Sequence, residues 1–254
     1  MGNVIRKVGF SLEIYKNRKA MGEAAGKKAE ELIVNCLKLK KQVRIIAASA
    51  PSQNEIIAYL AKSKLIDWSR VTAFHMDEYI GISEDAPQGF GKWLKDRLFS
   101  KVPVKSVHYL NPKAADPAKE CERYTALLKK APIDILLGGI GETGHLAFND
   151  PPVADFNDPL TVKVINIDNA SRNQQVHDGC FAALKDVPKK AYTLTLPILQ
   201  SAGSVVYTVP KATKAAAVGK MLKGPIEKKC PAAILRTHPD CYVFLDNESG
   251  KELL

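Results

Sequence analysis

The sequence has few cysteines, and their spacing suggests neither disulfides nor a structural metal site. Five cysteines are scattered over the 254 residues, with no two of them forming a C-x-x-C pair. An odd and dispersed set argues against a disulfide framework and against a zinc knuckle. We therefore expect reduced, mostly buried thiols, with neither a resident metal nor a catalytic cysteine.

Long apolar runs are also missing. No segment approaches the roughly 20 apolar residues that a membrane-spanning helix needs, and the first residues lack the apolar core of a secretory signal. The 46% of hydrophobic and 25% of charged residues are ordinary for a soluble globular protein. We expect a cytoplasmic protein without a membrane partner.

Negative charge is in short supply, since the net charge is +10. A basic chain invites a nucleic-acid hypothesis. The lysines, however, are spread over predicted helix faces, no basic run is interleaved with aromatic residues, and no nucleic-acid motif is present. We expect no nucleic-acid partner, and a positive field that helps to attract an anionic small substrate.

Strand and helix patterns alternate along the chain. Apolar segments typical of strands occur at 42–48, 70–75, 107–110, 133–137, 161–167, 191–196, 204–209 and 242–245, and a long amphipathic helix is predicted over 11–38. This alternation predicts an α/β fold with a doubly wound, mostly parallel, Rossmann-like sheet flanked by helices. We expect one domain over residues 1–254.

The strongest candidate for an active-site loop follows the apolar run at 133–137. Glycines at 138, 139, 141 and 144 allow a ligand to lie against bare backbone, with Gly139 as a candidate contact. Glu142, His145 and Asp150 come within or directly after this glycine run. Open parallel sheets bind ligands at the carboxyl ends of their strands, which is where these groups fall.

A second candidate site follows the strand at 42–48. Ser52 with Glu55 three residues later forms a capping-box pattern, which predicts a helix start at this point. Free N–H groups and the helix dipole favour phosphate at such a position. Ser49, Ser52 and Gln53 are the candidate substrate-binding side chains here.

Four other positions carry charges suited to an anionic substrate and to proton transfer. Asp77 and Glu78 end the strand at 70–75, and at most one of them is expected to enter the cleft. Arg172 offers a guanidinium fork for phosphate, with a surface salt bridge as the alternative. Lys214 lies in the first turn of a predicted helix, where a cation opposes the helix dipole unless it meets an anion.

This inventory favours acid–base chemistry on an anionic substrate, in the manner of an aldose–ketose isomerase. Asp77 is the candidate base for a carbon-bound proton, and His145 the candidate group for the ring or carbonyl oxygen. Asp150 or Glu142 would orient the imidazole. A metal site made of His75, Asp77, His145 and Asp150 is the competing hypothesis, and a structural core histidine at 145 is another.

Two stretches resemble the signature sequences of glucosamine-6-phosphate deaminases. They are Phe-His-Met-Asp-Glu-Tyr-Ile-Gly at 74–81 and Gly-Gly-Ile-Gly-Glu-Thr-Gly-His-Leu-Ala-Phe-Asn-Asp-Pro at 138–151. The likeness includes the segments at 209–214 and 236–238, and so runs through nearly the whole chain. The same signatures occur in weaker form in 6-phosphogluconolactonases, which share the fold.

The resemblance implies isomerisation of an amino-sugar phosphate coupled to ammonia release, with no cofactor and no metal. By this resemblance Asp77 moves the proton between C2 and C1, His145 opens the sugar ring with support from Asp150, and Lys214 binds phosphate. A lactonase-type hydrolase and a sugar-phosphate-binding protein without turnover are the alternatives. A homo-oligomer is compatible with the sequence.

The sequence departs from the family pattern at three places. The Gly-Gly-Thr-Pro phosphate loop of the family is replaced by Ser-Ala-Pro-Ser-Gln-Asn at 49–54. The family's acid two residues before the histidine is Thr143, with Glu142 one position away. The family's phosphate-binding arginine aligns with His177, which leaves Arg172 as a candidate substitute. These departures indicate a divergent subgroup.

Overall fold

An eight-stranded sheet forms the centre of the computed structural model, which describes residues 4–253. Its strands are β1 (Val4–Lys7), β2 (Phe10–Tyr15), β3 (Val43–Ala47), β4 (Val71–His75), β6 (Ser106–His108), β7 (Ile135–Gly138), β10 (Ser204–Val209) and β11 (Cys241–Asp246). Their spatial order is β1-β2-β11-β10-β7-β3-β4-β6. Every neighbouring pair is parallel except the antiparallel hairpin of β1 and β2.

The central strands consist mostly of apolar residues because both faces of the sheet are covered. Ile46 and Leu136 point into one core, while their neighbours Ile45 and Leu137 point into the core on the opposite face. Successive residues of a strand face opposite sides, so an unbroken apolar run fills both cores at once. The predicted doubly wound, mostly parallel α/β fold is confirmed.

Helices supply the outer layer on each side of the sheet. One face carries α1 (Arg18–Leu39) and α2 (Asn54–Leu60), and the other carries α4 (Pro117–Leu128) and α7 (Ala215–Lys223). The remaining helices are α3 (Phe90–Leu94), α5 (Asn169–His177) and α6 (Leu196–Gln200). Among the described residues, no helix is both long and apolar enough to cross a membrane.

The prediction of one helix over 11–38 is wrong at its start. Residues 10–15 form β2, in which Phe10, Leu12 and Ile14 are buried and the residues between them are partly exposed. This alternation has a period of two, which is the strand period. The helix begins only at Arg18. Asn17 is its N-cap, and the Asn17 side chain accepts a hydrogen bond from the backbone N–H of Ala20.

A second, antiparallel sheet was not expected from the sequence. It has the order β5-β9-β8 and consists of β5 (Asp77–Tyr79), β8 (Val162–Asn166) and β9 (Lys190–Leu194). The segments predicted as strands at 161–167 and 191–196 are strands, but they pair here instead of in the main sheet. Because β5 follows β4 after a single residue, this sheet holds Asp77 beside the carboxyl end of β4.

The capping-box prediction for residues 52–55 is also wrong. Ser52 lies within a short 3₁₀ turn (Pro51–Gln53), and no side chain of residues 4–253 caps α2. Glu55 instead accepts a hydrogen bond from Nε of Arg18 at 2.7 Å. Glu55 therefore holds α2 against α1, and the chain enters α2 directly from the 3₁₀ turn.

Candidate active site

A pocket opens at the carboxyl ends of the parallel strands β3, β4, β7 and β10. Six of the ten residues predicted for the site line it, and they are Ser49, Ser52, Asp77, Gly139, His145 and Lys214. Parallel topology explains why residues so far apart in sequence meet, since all these strands end at the same edge. The pocket therefore combines a carboxylate, an imidazole and an ammonium group.

The glycine loop after β7 brings backbone close to the imidazole. A β-carbon at Gly141 would overlap the ring of His145, so only glycine fits beneath it. The loop is closed by hydrogen bonds from Gly141 N to His145 O and from Gly144 N to Gly141 O, each 3.0 Å long. Gly144 adopts φ 81°, a conformation that side chains disfavour. The loop geometry thus fixes the position of the His145 side chain in the pocket.

A network of hydrogen bonds orients His145. Its Nδ1 lies 2.9 Å from Oδ1 of Asp150, and the imidazole is mostly buried. The hydroxyl of Thr143 donates to Oδ1 of Asp150 at 3.0 Å, and that of Ser171 donates to Oδ2 at 2.7 Å. With both hydroxyl protons directed to the carboxylate, the imidazole donates from Nδ1, and Nε2 is left facing the pocket.

The same network keeps Asp150 ionised. Burial by itself raises the pKa of Asp150, but hydrogen bonds from His145, Ser171 and Thr143 outweigh burial and leave the pKa below its ordinary value. A permanent carboxylate beside Nδ1 fixes the tautomer of the imidazole and stabilises its protonated form. The arrangement suits a histidine that accepts and returns a proton.

The structure does not bring Glu142 to the imidazole. The carboxylate of Glu142 lies 3.6 Å from Nδ1 of His177, and its backbone N–H donates to Oε1 of Gln174 at 2.9 Å. The tight turn from 141 to 144 points residue 142 away from the ring and residue 143 towards it. Thr143 therefore contacts Nδ1 of His145, at 2.8 Å, where Glu142 was a candidate.

Asp77 and Glu78 point in opposite directions, as expected for neighbouring strand residues. Asp77 lines the pocket. Glu78 lies behind it and accepts hydrogen bonds from the backbone N–H groups of Tyr79, Phe90 and Gly91, at 2.8–3.0 Å. Glu78 thus holds the start of α3 against β5.

Burial shapes the acidity of both carboxyls. Burial raises the pKa of Asp77 well above its ordinary value, and the charge of Glu78 raises it further. Burial also raises the pKa of Glu78 to about 7, although its three backbone donors act in the opposite direction. A carboxyl with a raised pKa is a stronger base once ionised, which is what abstraction of a carbon-bound proton requires.

Lys214 places an uncompensated positive charge in the pocket wall. The residue is only 4% exposed, and its Nζ atom has no hydrogen-bond partner among the described residues. Burial lowers the pKa of Lys214, while the charges of Asp178 and Glu142 act against this shift. A buried ammonium group without a partner is destabilising, so the site is suited to receive an anion.

Four polar or charged residues that line the pocket were not singled out from the sequence. Gln174, Gln175 and Asp178 come from α5 and its C-terminal end, and Lys211 comes from the loop after β10. The segment 168–175 is rich in hydrogen-bond donors, which is a usable sequence signal. For Lys211 the signal is proximity to Lys214 in the same loop.

Ser49, Ser52 and Gln53 have different positions around the pocket. The hydroxyl of Ser49 donates to the carbonyl oxygen of Phe90 at 2.9 Å, and Ser52 lies on the wall. Gln53 is fully buried beneath the pocket, where its Nε2 donates to the carbonyl oxygen of Gly138 at 2.9 Å and to Oγ1 of Thr208 at 2.8 Å. Gln53 joins three strand ends and does not line the pocket.

Arg172 does not reach the pocket either. Its guanidinium donates to the carbonyl oxygens of Leu184 and Val187, at 2.7 and 3.1 Å. Residue 172 thus faces the 184–187 segment, whereas Gln174 and Gln175 of the same helix face the pocket. The orientation of α5 therefore directs Arg172 towards the turn at 184–187, which its hydrogen bonds hold in place.

The described residues provide no assembled ligand set for the competing metal-site hypothesis. Within residues 4–253, no group of three or more His, Cys, Asp or Glu side chains is placed to hold a metal ion. Nε2 of His75 accepts a hydrogen bond from the backbone N–H of Leu110 at 2.8 Å, and burial lowers the pKa of His75 to about 3. His75 is a neutral core histidine behind the pocket.

Comparison with known proteins shows the family to which the chain belongs. A sequence model of the family described as glucosamine-6-phosphate isomerases/6-phosphogluconolactonase matches residues 16–243. The chain is 34% identical over 230 residues to a glucosamine-6-phosphate deaminase of Listeria innocua, which covers 91% of this chain and 96% of that protein. It is 31% identical over 240 residues to one of Bacillus cereus, covering 94% and 88% of the two proteins.

Solved structures show the same architecture. A monomeric glucosamine-6-phosphate deaminase superimposes with a TM-score of 0.85 at 26% identity, covering 94% of this chain and 98% of that one. The 6-phosphogluconolactonase of Thermotoga maritima shares the fold with a TM-score of 0.76 at 20% identity, covering 92% and 98%. The chain belongs to the family of glucosamine-6-phosphate isomerases and 6-phosphogluconolactonases.

Proposed function

We propose that the protein is an amino-sugar-phosphate deaminase that converts glucosamine-6-phosphate into a ketose phosphate and ammonia. The observation that carries the proposal is the meeting in one pocket of Asp77, His145 and Lys214, whose Nζ has no hydrogen-bond partner in residues 4–253. A base, a proton-transfer group and an anion-binding cation are the three groups that this reaction on a phosphorylated sugar requires. The curated relatives named above carry the same activity in their names.

Ring opening is the task of His145. Its Nε2 faces the pocket, so it accepts the proton of the anomeric hydroxyl and returns a proton to the ring oxygen as the ring bond breaks. During the transfer the imidazole is briefly a cation, which the Asp150 carboxylate stabilises through Nδ1. The product of this step is the open-chain amino aldose.

Isomerisation is the task of Asp77. The carboxylate takes the proton from C2, the C–H electron pair forms the C1–C2 double bond, and the carbonyl oxygen at C1 takes a proton from solvent. The carboxyl group then returns a proton to C1, which leaves a protonated imine at C2. Water adds to this imine, and ammonia and one proton leave as the ketose forms, so that the proton is returned to solvent and the overall reaction consumes one water.

Lys214 supplies the phosphate contact. Its buried ammonium charge lies in the same pocket as Ser52 and Gly139 at the carboxyl end of β7. A phosphate at this end would compensate the charge of Lys214, while the sugar carbons extend towards Asp77 and His145. Binding energy from the phosphate would then hold C1 and C2 against the base.

Two broader features belong to the same proposal. We place the protein in the cytoplasm, because its five cysteines are free in the structure and free thiols fit a reducing compartment. We also treat residues 1–254 as one domain, since the two larger cores lie on the two faces of one main sheet.

The decisive assay offers three compounds to the purified protein. With glucosamine-6-phosphate, ammonia and ketose phosphate are expected in equal amounts. With 6-phosphogluconolactone, no acceleration of hydrolysis is expected, and rapid hydrolysis without deamination would establish the lactonase alternative. Thermal stabilisation by both sugar phosphates without any product would identify a binding protein. Inorganic phosphate serves as the third compound and as a control for simple anion binding.

A further inference from the structure

Lys211 has a backbone conformation that lysine rarely adopts. Its φ is 82°, and in residues 4–253 the only other non-glycine residue with positive φ is Ala147. Both residues line the same pocket. The left-handed region is unfavourable for residues with a β-carbon, and such strained positions concentrate at functional sites. The strain therefore indicates a functional role for Lys211.

The turn that strains Lys211 also positions Lys214. The backbone N–H of Lys211 donates to Oδ2 of Asp246 at 3.1 Å, and its carbonyl oxygen accepts from the backbone N–H of Lys214 at 3.1 Å. Residues 212–214 then form one 3₁₀ turn that leads into α7. Both lysines therefore enter the pocket from a single rigid loop.

The ammonium group of Lys211 is paired across the pocket. Its Nζ lies 2.7 Å from Oδ1 of Asp178, which ends α5 on the other side. Asp178 itself lines the pocket, and it is the leading charge that opposes the shift in the pKa of Lys214. A carboxylate at this place repels an anionic ligand, unless a cation such as Lys211 neutralises it.

We propose that Lys211 is a second phosphate-binding lysine, and that Asp178 holds its ammonium group until substrate arrives. In the empty pocket Asp178 neutralises Lys211 and leaves Lys214 unpaired. A phosphate carries nearly two negative charges at neutral pH, and two ammonium groups compensate it where one does not. The phosphate contacts Lys214 first and then takes the Lys211 ammonium from Asp178. This inference rests on the proposed function and adds the residue that makes the pocket select a dianion.

Four variants separate this role from a merely structural ion pair. Lys211→Ala removes the charge, and Lys211→Gly removes the charge together with the backbone strain. Asp178→Asn removes the competing anion. Lys220→Ala is the matched control, because Lys220 is an exposed lysine of α7 that does not line the pocket.

The readouts are KM and kcat for glucosamine-6-phosphate, and the Kd of inorganic phosphate measured by calorimetry. Both Lys211 variants should raise KM and the phosphate Kd by about tenfold to a hundredfold, the range for one charge-assisted hydrogen bond, with kcat changed by less than about threefold. Lys211→Gly should melt at a higher temperature than Lys211→Ala. Asp178→Asn should lower both KM and the phosphate Kd, and Lys220→Ala should change neither.

The inference and the proposed function fail in different ways. A phosphate Kd within twofold of the parent value in both Lys211 variants would overturn the inference, even if deamination proceeds normally. An equal rise of the phosphate Kd in Asp178→Asn and Lys211→Ala would also overturn it. If the ion pair were merely structural, removing either partner would break it and weaken phosphate binding to the same extent. Absence of deamination in the parent protein would end the proposed function, while the phosphate titrations would still report on Lys211.

Discussion

Nδ1 of His145 lies 2.9 Å from Oδ1 of Asp150, and this contact decides which imidazole nitrogen is left free for the pocket. Two hydroxyls, from Thr143 and Ser171, occupy the two carboxylate oxygens from the other side. The carboxylate is therefore held in place at both oxygens, and the imidazole presents Nε2 to the pocket.

Asp150→Asn should lower kcat/KM by about 10²–10⁴-fold, because an amide can donate to Nδ1 and so reverse the tautomer of His145. Ser171→Ala and Thr143→Val should each lower it by about tenfold, since each removes one hydrogen bond to the carboxylate. Thr143→Ser keeps the hydroxyl and is the matched control. Steady-state kinetics beside melting curves test this prediction, and full activity of Asp150→Asn would contradict it.

Gly141→Ala should abolish turnover without unfolding the protein. The added methyl group overlaps the His145 ring, so the imidazole must leave its position under the substrate. We expect kcat to fall by at least about a hundredfold, while phosphate binding at Lys214 persists. Gly81→Ala is the control, because a β-carbon at Gly81 would meet no atom of the described residues within 4 Å, so this variant reports only the cost of a methyl group at the positive φ of Gly81. Equal losses of kcat in the two variants would argue against the steric role.

Lys214→Met should stabilise the protein and weaken substrate binding at the same time. The substitution removes a buried charge that has no partner among the described residues, which is destabilising in the empty pocket. KM should rise by about tenfold to a hundredfold through loss of a charge-assisted contact. Lys220→Met, on the exposed face of α7, should change neither property. A lower melting temperature for Lys214→Met would show that its ammonium group has a stabilising partner.

Glu78 should make the protein less stable as the pH rises. Its pKa is about 7 in the folded protein, against an ordinary value of 4.5 for a glutamate exposed to water, so the native state binds the extra proton between these values. Stability contributed in this way is present below pH 4.5 and is lost as the pH rises towards 7. The loss is of the order of 3 kcal/mol, or about 1.4 kcal/mol per pH unit.

Glu78→Gln should flatten this dependence in urea unfolding curves recorded between about pH 4.5 and 7.5. Asp77, whose pKa is also raised, should keep part of the slope in the variant. An unchanged slope in Glu78→Gln would mean that the carboxyl of Glu78 ionises at an ordinary pH.

The sequence predicts the main sheet well, because its strands are long apolar runs with clear ends. The strand predicted at 204–209 matches β10 residue for residue. The pattern at 10–15 favours a helix instead of β2, since its apolar residues are continuous with those of α1. The second sheet was missed because an alternating pattern such as 161–167 indicates a strand but not its partner.

Pocket residues were predictable where they end a strand, and less so where they lie on a helix or a loop. Asp77 and His145 come shortly after the parallel strands β4 and β7, so parallel topology predicts that both lie at the same edge of the main sheet. The position of Arg172 was not predictable because the rotation of α5 depends on tertiary packing, which directs its guanidinium to residues 184 and 187. The positive φ of Lys211 was not predictable, since nothing in the sequence around a lysine indicates a left-handed backbone conformation.

The proposed mechanism depends on Asp77 moving the carbon-bound proton while other groups hold the sugar phosphate. The comparison that isolates this step sets the parent protein against Asp77→Asn, in ammonia release from glucosamine-6-phosphate and in Kd for inorganic phosphate. We predict that Asp77→Asn releases no ammonia above background, and that its phosphate Kd stays within about tenfold of the parent value. Ammonia release by Asp77→Asn at a rate near that of the parent protein would contradict the mechanism.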